Sequence, residues 1–215
     1  EADPADVTLA DGRYAVRGMP DRSVTVRQIA RAAYGGAKQL PKGLEPGLEA
    51  TRFYDPYYGT ASNATHAAMI EIDRATLEVK TLRYVVVEDC GRMVNPLIVD
   101  GQVHGGVAQG IGAALLEEIV YDDEGQLLSG TLMDYVVPSA CEIPTMEVHH
   151  VETPSPVALG GFRGMGEGGT IGAPAAIANA VADAVRPRGI RLNALPILPE
   201  TLVARAALLG YPAGA

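Results

Sequence analysis

The run VEDCGRMVNPLIVDGQVHGGVAQGIGAALLEEIV, residues 87–120, decides how the rest of the chain is read. It opens as the tail of LRYVVVED, residues 82–89, whose β-branched and aromatic content predicts a long strand. Asn95-Pro96 then breaks the chain. From 99 to 119 small and apolar residues recur at helical spacing and end in Glu117-Glu118, which predicts a helix. That helix contains Gly105, Gly106, Gly110 and Gly112. An interior glycine costs about 1 kcal/mol relative to alanine, so four of them need a reason. Close approach of another backbone or of a bound group is the usual one.

Working outward, THAAMIEID (65–73) and LEVKTLRYVVVED (77–89) predict a hairpin turning around Asp73-Arg74-Ala75-Thr76. A second hairpin is expected over 117–137, turning at Asp123-Glu124-Gly125. The strand TMEVHHVETP (145–154) leads into the glycine-rich run LGGFRGMGEGGTIGAP (159–174). Helices are expected at 174–185, with proline in the first turn, and at 199–209. Near the start, an Asp11-Gly12 turn separates two short β-like runs, and Ser23 is the expected cap of a helix over 24–34 that ends at Gly35-Gly36. Residues 37–60 are rich in Gly, Pro and Tyr and read as irregular. Strands and helices mix without a βαβ rhythm, so the fold class is α+β. The chain divides into a connecting segment, 1–60, and a main portion, 61–215.

Composition narrows the function classes. Of 215 residues, 47% are hydrophobic and 20% charged, which excludes disorder. Seventeen basic against 26 acidic side chains give a net charge of −9 with no Lys/Arg cluster, so nucleic acid is not an expected partner. No apolar stretch is long enough for a membrane span. Cys90 and Cys141 lie outside any CxxC pattern and cannot hold an iron–sulfur cluster, which usually takes four thiolates. They read as two reduced thiols, with one disulfide between them the alternative. The first residue is Glu1, so a processed product, a piece and a split-gene subunit are all open.

Three features carry candidate chemistry. Glu167 sits among glycines in GMGEGGTIG, 164–172, and reads either as a functional carboxylate on a loop open to a ligand or as a helix-start charge. GQVHGGVAQGIG, 101–112, offers Gln102 and Gln109, seven apart and so on one helical face, with amides that both donate and accept. His104 beside them reads as structural. His149-His150 fall in a strand, face opposite sides, and cannot chelate one metal together. No metal ligand is assigned. Phe53, Tyr54, Tyr57 and Tyr58 form an aromatic group whose expected role is packing. A nucleotide site is disfavoured, since the Gly161–Gly166 spacing does not match a dinucleotide-binding loop.

Taken together, residues 87–135 and TPSPVALGGFRGMGEGGTIGAPAAIANAVADAV (153–185) resemble the C-terminal region of the molybdopterin-binding large subunits of the xanthine oxidase family. The segments 65–91 and VRGMPDRSVTVRQIARAAY (16–34) resemble the same region, so the likeness covers nearly the whole chain. The resemblance implies a molybdenum-cofactor-binding fold and oxidative hydroxylation of an aldehyde, N-heterocycle or related small molecule, with water as oxygen source. It implies Glu167 as general base. Gln102 would contact the Mo-molybdopterin, with Gly105, Gly106, Gln109 and Gly166 lining the same site. Arg163 stands where many members carry Lys, and its role is open. The cofactor is expected in its cytosine dinucleotide form, and 2Fe-2S and FAD on partner chains. Large subunits of this family are several times longer, so the expected partners are the remainder of that subunit, an iron–sulfur subunit and a flavin subunit, in the cytoplasm. The alternative is a non-catalytic structural or assembly subunit that keeps the fold.

Overall fold

Asp11 and Gly12 both adopt positive φ, 48° and 70°, the requirement of a tight two-residue hairpin turn whose twist suits the strands it joins. They connect β1 (Val7–Ala10) to β2 (Arg13–Val16), and β3 (Met19–Thr25) completes an antiparallel sheet in the order β1-β2-β3. The helix α1 (Val26–Tyr34) follows directly. Its cap is Thr25, not Ser23, which is paired with Ala15 in the sheet. Only Thr25 has a glutamine three residues on. Its hydroxyl accepts from Gln28 N at 3.1 Å while Gln28 Oε1 accepts from Thr25 N at 2.8 Å, a reciprocal box that fixes the start of the helix.

The computed structural model describes residues 2–35, 40–55 and 61–209. The chain separates into two units, 1–55 and 56–215. The expected boundary at 60/61 touches residues outside the described set, as do Gly36, Tyr57 and Tyr58. In the first unit Ala33 alone is buried among the described residues. Phe53 is fully exposed, contrary to the packing role expected of it.

The second unit is built on β4 (Asn63–Ile72), β5 (Val79–Asp89) and β6 (Met146–His150), in that spatial order. β4 and β5 form the expected hairpin, closed by Asp73, whose carboxylate accepts from the backbone N–H of Ala75 and Thr76, each at 2.8 Å. β6 lies parallel to β5, so the chain makes one crossover that the missing βαβ rhythm did not announce. Alternation along β5 turns Tyr84, Val86 and Glu88 to one face, each with no exposed surface. The helices α2 (Pro96–Leu115), α3 (Gly168–Ile171), α4 (Ala173–Val185) and α5 (Pro199–Leu208) follow in the same unit. Val103, Val107 and Ile111 of α2, Ile177 and Val181 of α4, Leu202 of α5 and Ile197 form one core with Tyr84 and Val86. Cys90 is buried, Cys141 exposed, and both are free thiols.

Two expectations fail for identifiable reasons. The helix α2 starts at Pro96, capped by Asn95, and ends at Leu115 rather than 119. The N–H of Glu117 turns back to Gly112 O at 2.8 Å, and its carboxylate closes over Gly112 while accepting from the Tyr135 hydroxyl. The hairpin expected over 117–137 shrinks to a single bridge, Tyr121 to Leu127. Asp122 Oδ1 accepts from the N–H of Glu124 (3.1 Å) and Gln126 (2.7 Å), and Thr131 pairs with Asp134 at 2.7 Å. Local side-chain bonds have taken the backbone groups a ladder needs.

Candidate functional site

Asn95 sets the position of α2, its side chain accepting from Ile98 N. Seen from the helix axis, the glycines of α2 divide. Gly106 is buried, and a Cβ built on it would stand 2.8 Å from Thr170 N and 2.9 Å from the Gly169 backbone. The fit is reciprocal: a Cβ on Gly169 would stand 2.5 Å from Val103 O and 3.1 Å from Gln102 O. Helix and loop therefore meet backbone to backbone, closer than any side chain allows. The Thr170 hydroxyl locks this junction by donating to Gly106 O at 2.7 Å, and it also reaches Gln109 Oε1 at 3.3 Å.

The other side is open. A Cβ at Gly101, Gly105 or Gly166 would meet no atom of the described residues within 4 Å, and the side chains of Gln102, Gln109 and Glu167 are exposed. Glu167 immediately precedes α3. Its carbonyl accepts from Thr170 N (3.0 Å) and Ile171 N (3.2 Å), while its carboxylate makes no capping bond. The backbone of Glu167 is thus committed to the loop and its side chain is not. Gln102 and Glu167, 65 positions apart in sequence, end on the two sides of one junction. Gly106 differs from the other expected contacts, because its missing side chain is accounted for by the loop it seats.

The base of the loop is pinned to the end of β5. Arg163 N donates to Cys90 O at 2.9 Å, its Nε to Thr153 O at 3.1 Å, and its Nη1 to Ala61 O at 3.4 Å. The open question about Arg163 thus has a structural answer: its guanidinium ties three segments together. His104 Nδ1 bonds its own helix at Asp100 O, 2.8 Å away, and His150 Nε2 donates to Asp100 Oδ1 at 2.7 Å, joining β6 to α2. Both histidines are structural in these contacts.

Three residues that motif reading missed complete the picture. Thr170 has no motif of its own. Glu88 and His66 lie under the loop: a Cβ on Gly168 would stand 2.6 Å from Glu88 Oε1, and one on Gly172 would stand 2.5 Å from His66 Cδ2. Burial holds the His66 ring below the ordinary histidine value, opposed by the nearby Gly168 backbone. The Tyr84 hydroxyl, pushed up by burial and so kept protonated, shares a hydrogen bond with His66 Nδ1 at 3.0 Å. The other ring nitrogen, Nε2, is buried and without a hydrogen-bond partner among the described residues. Glu88 was legible from alternation, since Tyr84, Val86 and Glu88 are two apart. Among the described residues no group of three or more His, Cys, Asp or Glu side chains is arranged to hold a metal ion.

A molybdopterin cofactor-binding domain family matches residues 1–144. The chain is 43% identical over 203 residues to the nicotine 6-hydroxylase large subunit of Paenarthrobacter nicotinovorans, covering 94% of this chain and 25% of that one. It is 38% identical to the carbon monoxide dehydrogenase large chain of Hydrogenophaga pseudoflava, covering 88% of this chain and 23% of the other. Quinoline 2-oxidoreductase from Pseudomonas putida 86 superposes with a TM-score of 0.86 at 42% identity, over 94% of this chain and 26% of that one. The chain thus spans about a quarter of the length of these relatives. It belongs to the xanthine oxidase family of molybdenum hydroxylases, within the molybdopterin-binding large subunit.

Proposed function

We propose that this chain supplies the general base and one wall of the cofactor site of a molybdenum hydroxylase that oxidises an N-heterocycle or a related small molecule. The observation that carries the reading is the junction of α2 with the Gly166–Thr170 turn, which gathers Gln102, Gln109 and Glu167 at an open, backbone-lined edge. The residues present fit a molybdopterin. Amides that donate and accept suit a polar ring system and oxo groups, and the side-chain-free faces of Gly101, Gly105 and Gly166 admit a flat group close to the backbone. The names of two relatives, a nicotine hydroxylase and a quinoline oxidoreductase, point to nitrogen heterocycles as the substrate class.

When bound, the molybdenum centre supplies the two-electron oxidation. The residues of this chain position and deprotonate. Among the described residues the Glu167 carboxylate has no hydrogen bond to give up before it takes a proton from the attacking water-derived oxygen, and its backbone bonds to Thr170 and Ile171 hold the carboxylate's base still. A positioned general base contributes about 10²–10⁴-fold. Gln102 orients the cofactor from α2. Gln109 shares the Thr170 hydroxyl with Gly106 O, so it steadies the same edge.

The reading includes partners. Leu97, Ile98, Leu132 and Met133 are 61–91% exposed, more apolar surface than a lone chain keeps in water without cost. The remainder of the large subunit covers such surface and completes the pocket. Iron–sulfur and flavin groups belong to further chains, since two cysteines cannot supply a cluster. The cofactor is taken in its cytosine dinucleotide form, and the complex works in the cytoplasm. No helix among the described residues is long and apolar enough to cross a membrane. The test is to purify the native complex through this chain and measure metal content and co-purifying masses. Molybdenum, a dinucleotide pterin and companion chains are expected. A chain fully assembled with its companions yet free of molybdenum would leave the structural-subunit alternative standing instead.

A further inference from the structure

Beneath the loop that carries Glu167 lies a buried carboxyl with nothing to bond. Glu88 has no exposed surface, and neither of its oxygens has a hydrogen-bond partner among the described residues. It ends against the Cα of Gly168, the residue after Glu167, in a space too small for a Cβ. An orphaned buried polar group is uncommon enough to need an explanation. Here the neighbours are orphaned as well. His150 stands directly opposite Glu88 across the β5–β6 pairing, with Nδ1 buried and unbonded while its Nε2 is held by Asp100 of α2. On β4, Ala64 is the direct partner of Glu88, and His66, two residues on and on the same face, leaves Nε2 buried and unbonded. The Ser62 hydroxyl lies close by, outside hydrogen-bond geometry, and Asp89 is adjacent in the chain.

We propose that Glu88 is a positioning residue for Glu167: its carboxyl head is the floor on which Gly168 rests, and the charge on that head sets whether the 166–170 turn stays seated on α2. The proposal rests on the reading of Glu167 as the base, but the seating of the turn can be read without turnover.

The physics runs through one proton. A bare carboxylate in this position would have neither solvent nor a bonded partner, an arrangement that folded proteins avoid by keeping the group neutral. Burial lifts the Glu88 carboxyl above the usual carboxylate range; Ser62 and His150 oppose the rise, and Asp89 adds to it. Opening the turn would admit water and return the group to its ordinary value near 4.5. Below that value the proton is bound whether the turn is open or seated, and pH has no leverage. Above it the open state releases the proton first, so opening grows by about tenfold per pH unit until Glu88 ionises in the seated turn as well. Neutral Glu88 keeps Glu167 in place; ionised Glu88 lets it go.

The experiment is amide hydrogen exchange over 165–171 in the native complex, as protection factors corrected for intrinsic rates, across the pH range where the complex is intact. Wild type, Glu88→Gln and Glu88→Ala are compared. In wild type, protection of the turn is expected to fall by about tenfold per pH unit as pH rises above 4.5, until Glu88 ionises in the seated turn, while the last turns of α4 are unaffected. Glu88→Gln, neutral and nearly the same shape, should hold the turn closed and abolish that slope. Glu88→Ala removes the floor and should lower protection at every pH. Where a substrate turns over, kcat in Glu88→Gln should lose the decline with rising pH that is expected of wild type. The same slope with rising pH in Glu88→Gln as in wild type overturns the proposal, and so does a turn opened by Glu88→Gln at neutral pH, which would mean that the native group is a paired carboxylate. Exchange as expected together with full turnover in Glu167→Gln would remove the base reading and leave the seating of the turn intact.

Discussion

The two sides of α2 use the same residue for opposite ends. On the inner side Gly106 and Gly110 are filled from across the junction, Gly106 by the Gly169–Thr170 backbone and Gly110 by Ala173 and Pro174 of α4. On the outer side Gly101 and Gly105 face no described residue within 4 Å. A glycine whose missing side chain is replaced by protein is an element of the fold. One whose missing side chain is replaced by nothing keeps room for a group the chain does not contain. The comparison separates residues that seat the Glu167 loop from residues that leave the face beside it open.

Substitution should break the symmetry between the sides. The largest effect is expected inside. Gly169→Ala drives a methyl into the Val103 carbonyl, 2.5 Å from the ideal Cβ, with backbone on both sides and no rotamer to relieve it. Overpacking of this kind costs roughly 1–3 kcal/mol. Hydrogen exchange over 166–172 should show that loss locally, with Glu167 displaced and turnover reduced. The outer substitution should go the other way. Gly105→Ala meets open space and gains about 1 kcal/mol of helix propensity, so α2 should be more protected from exchange while molybdenum occupancy falls. A Gly105→Ala complex with full molybdenum content would show that the outer face is merely exposed. The smallest effect is a pH response at the far end of the loop. His66 is held neutral beside Gly172, so its contribution is complete above the ordinary histidine value of 6.5 and is lost as pH falls from there towards its lowered value. Protection of Gly172 and the start of α4 should decline over that acid window, and His66→Gln should flatten the decline.

Much of this was legible in the sequence, and the gaps have physical causes. The four glycines of the 99–119 pattern announced a close approach, and the structure supplies it. Their division into inner and outer faces was only partly legible: Gln102 and Gln109 mark the exposed face on which Gly105 falls, but in a helix made largely of small and apolar residues two amides are a thin polar stripe. Ser23 was preferred to Thr25 as a cap by residue type alone, whereas Gln28 three residues after Thr25 carried the deciding signal. The 117–137 stretch has strand composition, but Asp122 and Thr131 spend the backbone groups locally. Glu167 and Gln102 stood out through their glycine surroundings. Thr170, which joins their segments, did not, because a lone hydroxyl carries no pattern until the helix it bonds is in place.

The central claim is that Glu167 takes a proton in the reaction rather than decorating a helix start. Glu167→Gln tests it most directly, since the amide keeps the size and shape of a side chain that makes no capping bond in the fold. The variant should assemble with its partners and retain molybdenum. With metal content matched to wild type, the rate at which a working substrate reduces the metal centre should fall by at least ~10²-fold. A helix-start charge would contribute only about 0.3–1 kcal/mol of stability and leave that rate unchanged. Reduction of the matched Glu167→Gln complex at the wild-type rate would contradict the account.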